Sequence, residues 1–410
     1  MAYLASIFST LIAAVLLTAQ VSGAAPADTL AWTDNMKAAQ RALNESRYAD
    51  AERFLRVAIK EAEKIGPEDW RVGVSLSSLA AVFFSQAKYV EAEDFHRKAV
   101  TIFEKSFGSE HLRVAESLTG LAMIYQMQGK YKETEPLLDR TLAIKEKTLG
   151  PEHPDVANSL SNLGTLYYFQ GRFEEAERVF QRALTILERV YGREHVLVAN
   201  TVNNLGILYS VEGKGDEAEL LLKRALRIRE AALGARHAEV ASTLDNLGAL
   251  YNSQGKLAEA ERVLKRALAI QEKSQGTNHP DVAITLGHLG ATYEAGGKLD
   301  QAERLIEQSL TIWESRFGPD DVRVAKALSS LARINAAEGK YAQAESLLLR
   351  ALAILEKRRE PGAPELIAEL DNYAALLRKA GREPEASQIE ARARAMRTDR
   401  PNARLTEGSR

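Results

Sequence analysis

The chain has 410 residues, of which 45% are hydrophobic and 27% charged, and its net charge is −2. This near-neutral balance argues against a nucleic-acid partner, because phosphate binding requires a surplus of Lys and Arg. The sequence contains no cysteine, which excludes disulfides and thiolate chemistry.

The first residues differ in composition from the rest. Tyr3 to Val21 is an apolar run without Lys or Arg, and Ser22 to Pro26 supplies the small residues that a signal peptidase accepts. This pattern predicts a signal peptide over residues 1–24 and an exported protein, periplasmic or secreted. The basic start of such signals is missing, and the run is long enough to span a bilayer. A membrane anchor and a wrongly placed start are therefore the alternatives, and membrane association is expected only if the segment is retained.

One pattern returns at a fixed interval over residues 25–395. Residues 32–65 form a degenerate opening hairpin, and glycines then recur in steps of 42 residues, at Gly66, Gly108, Gly150, Gly192, Gly234, Gly276 and Gly318. A constant period of this size is typical of stacked repeat arrays. About eight repeats are predicted, their first helices beginning near Arg71, Arg113, Asp155, Leu197, Glu239, Asp281, Arg323 and Glu365.

Each repeat contains two helical patterns, as residues 150–192 illustrate. The first has an apolar stripe at helical spacing, Leu160, Leu163, Gly164 and Tyr167. Gly171 interrupts the pattern, because glycine suits the left-handed turn that ends a helix. A second apolar stripe follows, and Gly192 ends it. Such a hairpin is too small to bury its apolar side alone, so neighbouring hairpins must stack.

The repeated residues resemble those of the tetratricopeptide-repeat family. Leu163-Gly164, Tyr167, Gly171, Ala176, Phe180 and Ala183 follow that family's pattern. The 42-residue period and the sequence from Asn203 to Ile228 resemble those of the longer repeats of kinesin light chains. The resemblance spans roughly residues 32–395 and implies an all-α, right-handed superhelical solenoid of stacked helical hairpins. Residues 396–410, with Pro401 and no apolar period, are predicted to be a disordered tail.

The sequence offers little for catalysis or metal binding. His111, His153, His195, His237 and His279 share one junction position in successive repeats. Repeat-equivalent residues are translated along the stack and cannot converge on one metal ion. We therefore predict that each helps to end one helix and start the next. No nucleophile motif or complete phosphate loop is present. The predictions are no metal, no cofactor and no enzymatic activity.

The first helix of each repeat carries a second stripe opposite its packing face. The resemblance to tetratricopeptide proteins implies that this stripe lines a concave groove, and in kinesin-light-chain-like repeats the matching asparagines are implicated in holding peptides. Asparagine is a mediocre helix former, but its amide can both donate to and accept from a peptide backbone. The predicted peptide-binding residues are Asn158, Asn162, Thr165, Asn200, Asn204, Ser242, Asn246, His288, Arg333 and Asn372. The competing interpretation is that these amides tie neighbouring repeats together.

Flanking positions predict a gradient along this groove. Its N-terminal end is expected to be apolar, with Val74, Ala81, Met123 and Met127 beside Glu116, and its C-terminal end basic, with Lys326, Arg333, Arg378 and Lys379. The sequence thus predicts a non-enzymatic scaffold that binds extended segments of a protein or peptide partner. The alternative is a structural subunit that self-associates or organises a cell-envelope complex.

Overall fold

The computed structural model describes residues 27–45, 47–86, 88–357 and 364–398. Within these ranges the chain forms helices and turns, without a strand. The predicted signal peptide lies outside the described residues. None of the described helices is both long and apolar enough to cross a membrane.

Over the described residues, one helix follows another with short turns between them. The helices are α1 Ala27–Asn44, α2 Tyr48–Ile65, α3 Trp70–Ser85, α4 Tyr89–Phe107, α5 Leu112–Met127, α6 Tyr131–Leu149, α7 Pro154–Phe169, α8 Phe173–Tyr191, α9 Val196–Val211, α10 Gly215–Leu233, α11 Ala238–Ser253, α12 Leu257–Gln275, α13 Pro280–Ala295, α14 Leu299–Phe317, α15 Val322–Ala337, α16 Tyr341–Lys357, α17 Pro364–Lys379 and α18 Glu383–Thr398. The first helices of the eight full repeats begin one residue before their predicted starts.

The chain divides into two compact units, unit 1 ending at Ile228 and unit 2 beginning at Arg229. Within each unit, consecutive helices pack as hairpins, and each hairpin packs on the next. First helices of successive repeats also contact one another, as α7 does with α9 in unit 1 and α13 with α15 in unit 2. The predicted class, an all-α fold of stacked helical hairpins, is confirmed.

Glycine at two fixed positions makes both turns of the repeat possible. Gly171, between α7 and α8, has φ +74°, and Gly192, after α8, has φ +85°. Glycine adopts this left-handed conformation without the penalty that a Cβ imposes. The next helix then begins at a histidine or aspartate whose side chain accepts a hydrogen bond from the backbone two residues on, as His153 Nδ1 does from Asp155 N at 3.1 Å.

Small residues allow the two helices of a hairpin to approach closely. Gly164 lies against Phe180, so that a Cβ at position 164 would fall 2.6 Å from Phe180 Cε1. Phe180 is 2% exposed, and burying such a side chain contributes about 1.5–3 kcal/mol. The same position carries Gly206 against Leu222 and Gly248 against Leu264.

A ladder of ion pairs joins second helices of successive repeats. The arginine of one repeat contacts the glutamate of the previous repeat at 2.5–2.7 Å in Arg140–Glu104, Arg182–Glu146, Arg224–Glu188, Arg266–Glu230, Arg350–Glu314 and Arg392–Glu356. One rung is interrupted in unit 2, where Gln308 occupies the arginine position opposite Glu272. Partly exposed pairs of this kind each contribute about 0–1 kcal/mol.

The C-terminal boundary of the fold differs from the prediction. Residues 396–398, assigned to a disordered tail, belong to α18, which continues to Thr398. Arg397 donates to the carboxylate of Asp371 on α17, and this contact holds the last turn of α18 against its partner helix. The remainder of the predicted tail lies outside the described residues.

Candidate functional site

The predicted peptide-binding residues keep part of their surface exposed. In unit 1, α7 carries Asn158, Asn162 and Thr165, and α9 carries Asn200 and Asn204. In unit 2 the predicted residues are Ser242 and Asn246 on α11, His288 on α13, Arg333 on α15 and Asn372 on α17. None of them is buried. Since α7 contacts α9, the structure brings the five unit 1 residues onto neighbouring helices.

The asparagine amides are used unequally. Neither Asn162 nor Asn204 forms a side-chain hydrogen bond with the described part of the chain, and both are half-exposed. Asn372 donates to Glu369 Oε2 at 3.3 Å, whereas Thr165 is bonded within its own helix to Ser161 O at 2.9 Å. The amides of Asn162 and Asn204 therefore retain the donors and acceptor that a peptide backbone can use.

The predicted apolar end of the stripe is partly wrong. Val74, Ala81 and Met123 are only 2%, 3% and 4% exposed, so they cannot line a groove. They belong to the apolar cluster that also contains Trp32, whose indole N–H donates to Ser75 Oγ at 2.9 Å. The opening hairpin thus packs onto α3 and contributes to the cluster that encloses these side chains.

On the first helices of the full repeats in unit 1, the exposed large apolar side chains lie instead at the C-terminal ends. Phe169 is 53% exposed and Val211 51%, and they occupy equivalent positions on α7 and α9. Phe169 also stacks on Tyr131, with ring centroids 6.2 Å apart. Both residues lie at helical spacing from Asn162 and Asn204, on the stripe that carries the predicted binding residues, although neither is among them.

In unit 2 the histidine that interrupts the asparagine series has a buried acidic partner. His288 Nδ1 lies 3.0 Å from Asp245 Oδ1, and Thr285 donates to the same oxygen at 2.8 Å. Asp245 is 6% exposed. Burial lowers the pKa of His288, but the charge of Asp245 and the hydrogen bond to it outweigh burial, so the pKa is raised overall. This partner lies 43 residues away and could not be recognised from the sequence.

Unit 2 also contains a small pocket between α15 and α17. Its volume is about 190 Å³, and it is lined by Ser329, Ala332, Arg333, Ala336, Leu348, Asn372, Ala375, Leu376 and Lys379. Arg333 and Asn372 therefore share a site.

Charged side chains of both signs surround this pocket. Arg333 is held by Glu294, with its Nε and Nη2 atoms 2.5 and 2.8 Å from the carboxylate oxygens. Lys379 is exposed and forms no ion pair within the described residues. Burial raises the pKa of the nearby Glu369, which favours its neutral form.

The pocket is smaller than the roughly 300–1,000 Å³ of drug-sized ligand sites, but a dry apolar cavity of about 150 Å³ can hold benzene. It therefore suits one apolar side chain.

The junction histidines have the structural role that the sequence predicts. In each, Nδ1 accepts a hydrogen bond from the backbone N–H two residues later at 3.1–3.2 Å, as seen at His111, His153, His195, His237 and His279. Among the described residues, no cluster of His, Asp and Glu has an arrangement that could hold a metal ion.

Comparison with known proteins agrees with this architecture. The family model described as tetratricopeptide repeat matches overlapping segments at residues 71–133, 113–189, 169–231, 197–273, 239–315, 281–357 and 323–399. None of the curated proteins searched matches the sequence.

Solved structures similar to the chain include several repeat proteins. Repeats from Podosopora anserina, described as kinesin light chain TPR-like repeats, share 26% identity, covering 50% of this chain and 99% of theirs, with a TM-score of 0.44. BtubC (BKLC) from P. vanneervenii shares 26%, covering 56% and 92%, with a TM-score of 0.46. The quorum sensor NprR from B. thuringiensis shares 16%, covering 88% and 97%, with a TM-score of 0.58. From the family match, which spans more than half of its length, the chain belongs to the tetratricopeptide-repeat family.

Proposed function

We propose that the chain is a non-enzymatic interaction scaffold whose first helices bind extended segments of a protein partner. A rigid stack of hairpins presents recognition groups that are already ordered, which lowers the entropic cost of binding a flexible segment. The work of the protein is then recognition without chemistry.

The unsatisfied amides of Asn162 and Asn204 carry this proposal. Asparagine costs helix stability relative to better helix formers, and at these two positions no hydrogen bond to the described residues compensates for it. If the amides served to join repeats, they would be bonded to the neighbouring repeat. Donation to and acceptance from an extended backbone accounts for both their exposure and their repetition at one position.

The pocket between α15 and α17 supports the same function. An extended peptide bound through its backbone gains specificity when individual side chains enter pockets. Leu348, Ala336 and Leu376 supply apolar lining for one such side chain, while Lys379 and Arg333 supply positive charge. In this proposal the unit 2 pocket selects an apolar residue in the partner.

An affinity pull-down from the native source tests the proposal. The bait chain is compared with a triple variant, Asn162→Ala, Asn204→Ala and Asn246→Ala, whose helicity and melting temperature are first matched to the unsubstituted chain. We expect partners to bind the unsubstituted bait and to be lost from the triple variant.

A matched control changes three exposed glutamates on second helices. Glu133→Ala, Glu217→Ala and Glu259→Ala lie at one repeat position and have no hydrogen bonds in the described ranges. This variant should keep every partner. Partners that the asparagine variant also keeps would contradict the proposal and move the interaction to another face.

Self-association is the second candidate function. The adjacent exposed side chains of Phe169 and Val211 favour it, because apolar surface of this kind often marks interaction sites. Light scattering of the purified chain decides the point: a defined oligomer that Phe169→Ser and Val211→Ser together dissociate would support it, and a monomer would refute it.

We further propose that the protein works outside the cytoplasm. The support is the apolar run from Tyr3 to Val21 followed by small residues. Intact-mass measurement of protein from its native source tests this, with loss of about 24 residues expected on the signal-peptide interpretation. A full-length chain in the membrane fraction would indicate an anchor instead, and a full-length chain in the cytoplasm would refute export.

A further inference from the structure

One position of the repeat changes chemistry within unit 2. Asn162, Asn204 and Asn246 occupy this position in three successive repeats, and His288 follows 42 residues after Asn246. An amide presents a donor and an acceptor at every physiological pH, whereas the hydrogen-bonding character of an imidazole depends on its protonation.

The contact with Asp245 fixes which ring nitrogen changes character. An ionised carboxylate can only accept, so His288 Nδ1 carries the hydrogen that is donated to Asp245 at 3.0 Å. Nε2 is then an acceptor in the neutral ring and a donor in the imidazolium. This nitrogen forms no hydrogen bond with the described residues, and 37% of the side chain is exposed.

Two charged groups act on this imidazole. Asp245, on α11, favours the imidazolium, and Lys326, on α15, opposes it. The net effect raises the pKa of His288 above its ordinary value of 6.5. Lys326 is itself exposed and forms no ion pair within the described residues, so it adds a second positive charge beside the ring.

We propose that His288 is a pH-dependent specificity residue that binds a carboxylate of an extended peptide through Nε2–H. In the imidazolium form, Nε2 donates a charge-assisted hydrogen bond to an Asp or Glu of the peptide. In the neutral form the lone pair of Nε2 faces that carboxylate and repels it. Unit 2 therefore binds acidic peptides more tightly as the pH falls. This inference rests on the proposed peptide-binding function and adds the chemistry and regulation of one contact.

The experiment begins with a displayed library of random peptides selected on the full chain at about pH 6. The tightest acidic peptide and its Glu→Gln or Asp→Asn counterpart are then measured by fluorescence polarisation at about pH 6 and about pH 8.5, at constant ionic strength. We expect the acidic peptide to bind roughly tenfold more weakly at the higher pH, the equivalent of losing one charge-assisted hydrogen bond. The amide counterpart should change little.

Three variants separate this contact from general electrostatics. His288→Asn restores the residue of the preceding repeats and should remove the pH dependence while peptide binding persists. Asp245→Asn places there the residue found at Asn203, one repeat earlier, and should shift the loss of affinity to lower pH. Lys326→Ile should weaken acidic peptides at both pH values, because a lysine remains charged throughout, and should shift the loss of affinity to higher pH, because Lys326 no longer opposes the imidazolium.

The outcomes distinguish the two proposals. A peptide that binds with the same pH profile to the unsubstituted chain and to the folded His288→Asn variant would overturn the role of His288 and leave the scaffold function standing. If the library yields no peptide at about pH 6, both proposals fail. Abolition of the profile by His288→Asn, with its midpoint moved by Asp245→Asn, is the result that the structure leads us to expect.

Discussion

Acidification should destabilise the repeats by removing a set of helix caps at once. His111, His153, His195, His237 and His279 each accept a backbone hydrogen bond through Nδ1. A protonated imidazole has donors on both nitrogens and cannot accept. Its positive charge also opposes the dipole at the N-terminus of a helix. Every one of these first helices therefore loses its cap when the histidine is protonated.

The magnitude follows from the caps that each unit contains. Loss of a cap costs about 1 kcal/mol, and the fold lowers the pKa of one capping histidine in each unit, His111 in unit 1 and His279 in unit 2, which gives roughly 1 kcal/mol for each unit. The folded chain could instead keep a capping histidine neutral and preserve the cap. At pH 5 this costs at most about 2 kcal/mol for each histidine, because pH 5 lies about 1.5 units below the ordinary histidine pKa. For units of this size, 1 kcal/mol corresponds to about 2–4 °C in melting temperature.

The direction agrees with the pKa shifts of the capping histidines that are perturbed. Burial lowers the pKa of His111 and of His279 in the folded chain. A depressed folded pKa means that the unfolded chain binds more protons below about pH 6.5. The stabilisation is then complete above that value and is lost as the pH falls through it and towards the folded pKa.

The assay is the melting temperature, followed by circular dichroism between pH 7.5 and pH 5 at constant ionic strength. The chain supplies its own control in Asp69 and Asp321, which cap the equivalent helices by accepting from the backbone at 2.9 Å. Replacing the five capping histidines with aspartate keeps an acceptor that remains ionised to about pH 4. We expect the melting temperature of unit 1 to fall by about 2–4 °C in the unsubstituted chain and by much less in the variant. Equal losses in both proteins would refute the capping argument.

Three further predictions test the packing. Gly248→Ala puts a Cβ 2.4 Å from Leu264 Cγ and should destabilise unit 2 by about 1–3 kcal/mol in urea unfolding. Gly287→Ala, where a Cβ would meet no atom within 4 Å, should instead stabilise unit 2 by about 0.5–1 kcal/mol. Equal effects of the two substitutions would contradict the packing. His96 is buried and its pKa is lowered to about 4, so it contributes stability above pH 6.5 that is lost as the pH falls towards 4. His96→Leu should remove up to about 3 kcal/mol of that acid sensitivity. An unchanged dependence of stability on pH in this variant would refute the role of His96. Gln308→Arg should complete the ion-pair ladder and add about 0–1 kcal/mol, a gain that high salt abolishes if the reasoning holds.

Much of the fold could be predicted because the repeat makes each local signal appear many times. A single glycine after an apolar stripe is a weak sign of a helix end. Gly150 and Gly192 recur at the repeat interval, so together they define where one hairpin begins and ends. The spacing also defined the face on which Asn162 and Asn204 lie. Helix starts were correct to within one residue because the same capping chemistry, histidine or aspartate, begins each of the seven first helices from α3 to α15.

What could not be predicted lies where the period gives no template. The opening hairpin deviates from the repeat, so its sequence did not show that Trp32 belongs to the cluster that buries Val74. The pocket at Ala336 requires the distance between α15 and α17, which composition does not provide. The partner of His288 was hidden because Asp245 is in the preceding repeat, at a position that elsewhere holds Ser161 or Asn203.

The repeat thus separates residues that fold the chain from residues that give it a function. Glycines at turns, small residues at helix crossings and acceptors at helix starts recur because every hairpin has the same packing requirements. The exposed face of the first helices is free of those requirements, so a departure there changes recognition with little effect on the stack. His288, at a position that holds asparagine in the three repeats before it, is a departure of this kind. Specificity in this protein should therefore change more when His288 is altered than when a turn glycine or a helix-capping residue of the repeat is.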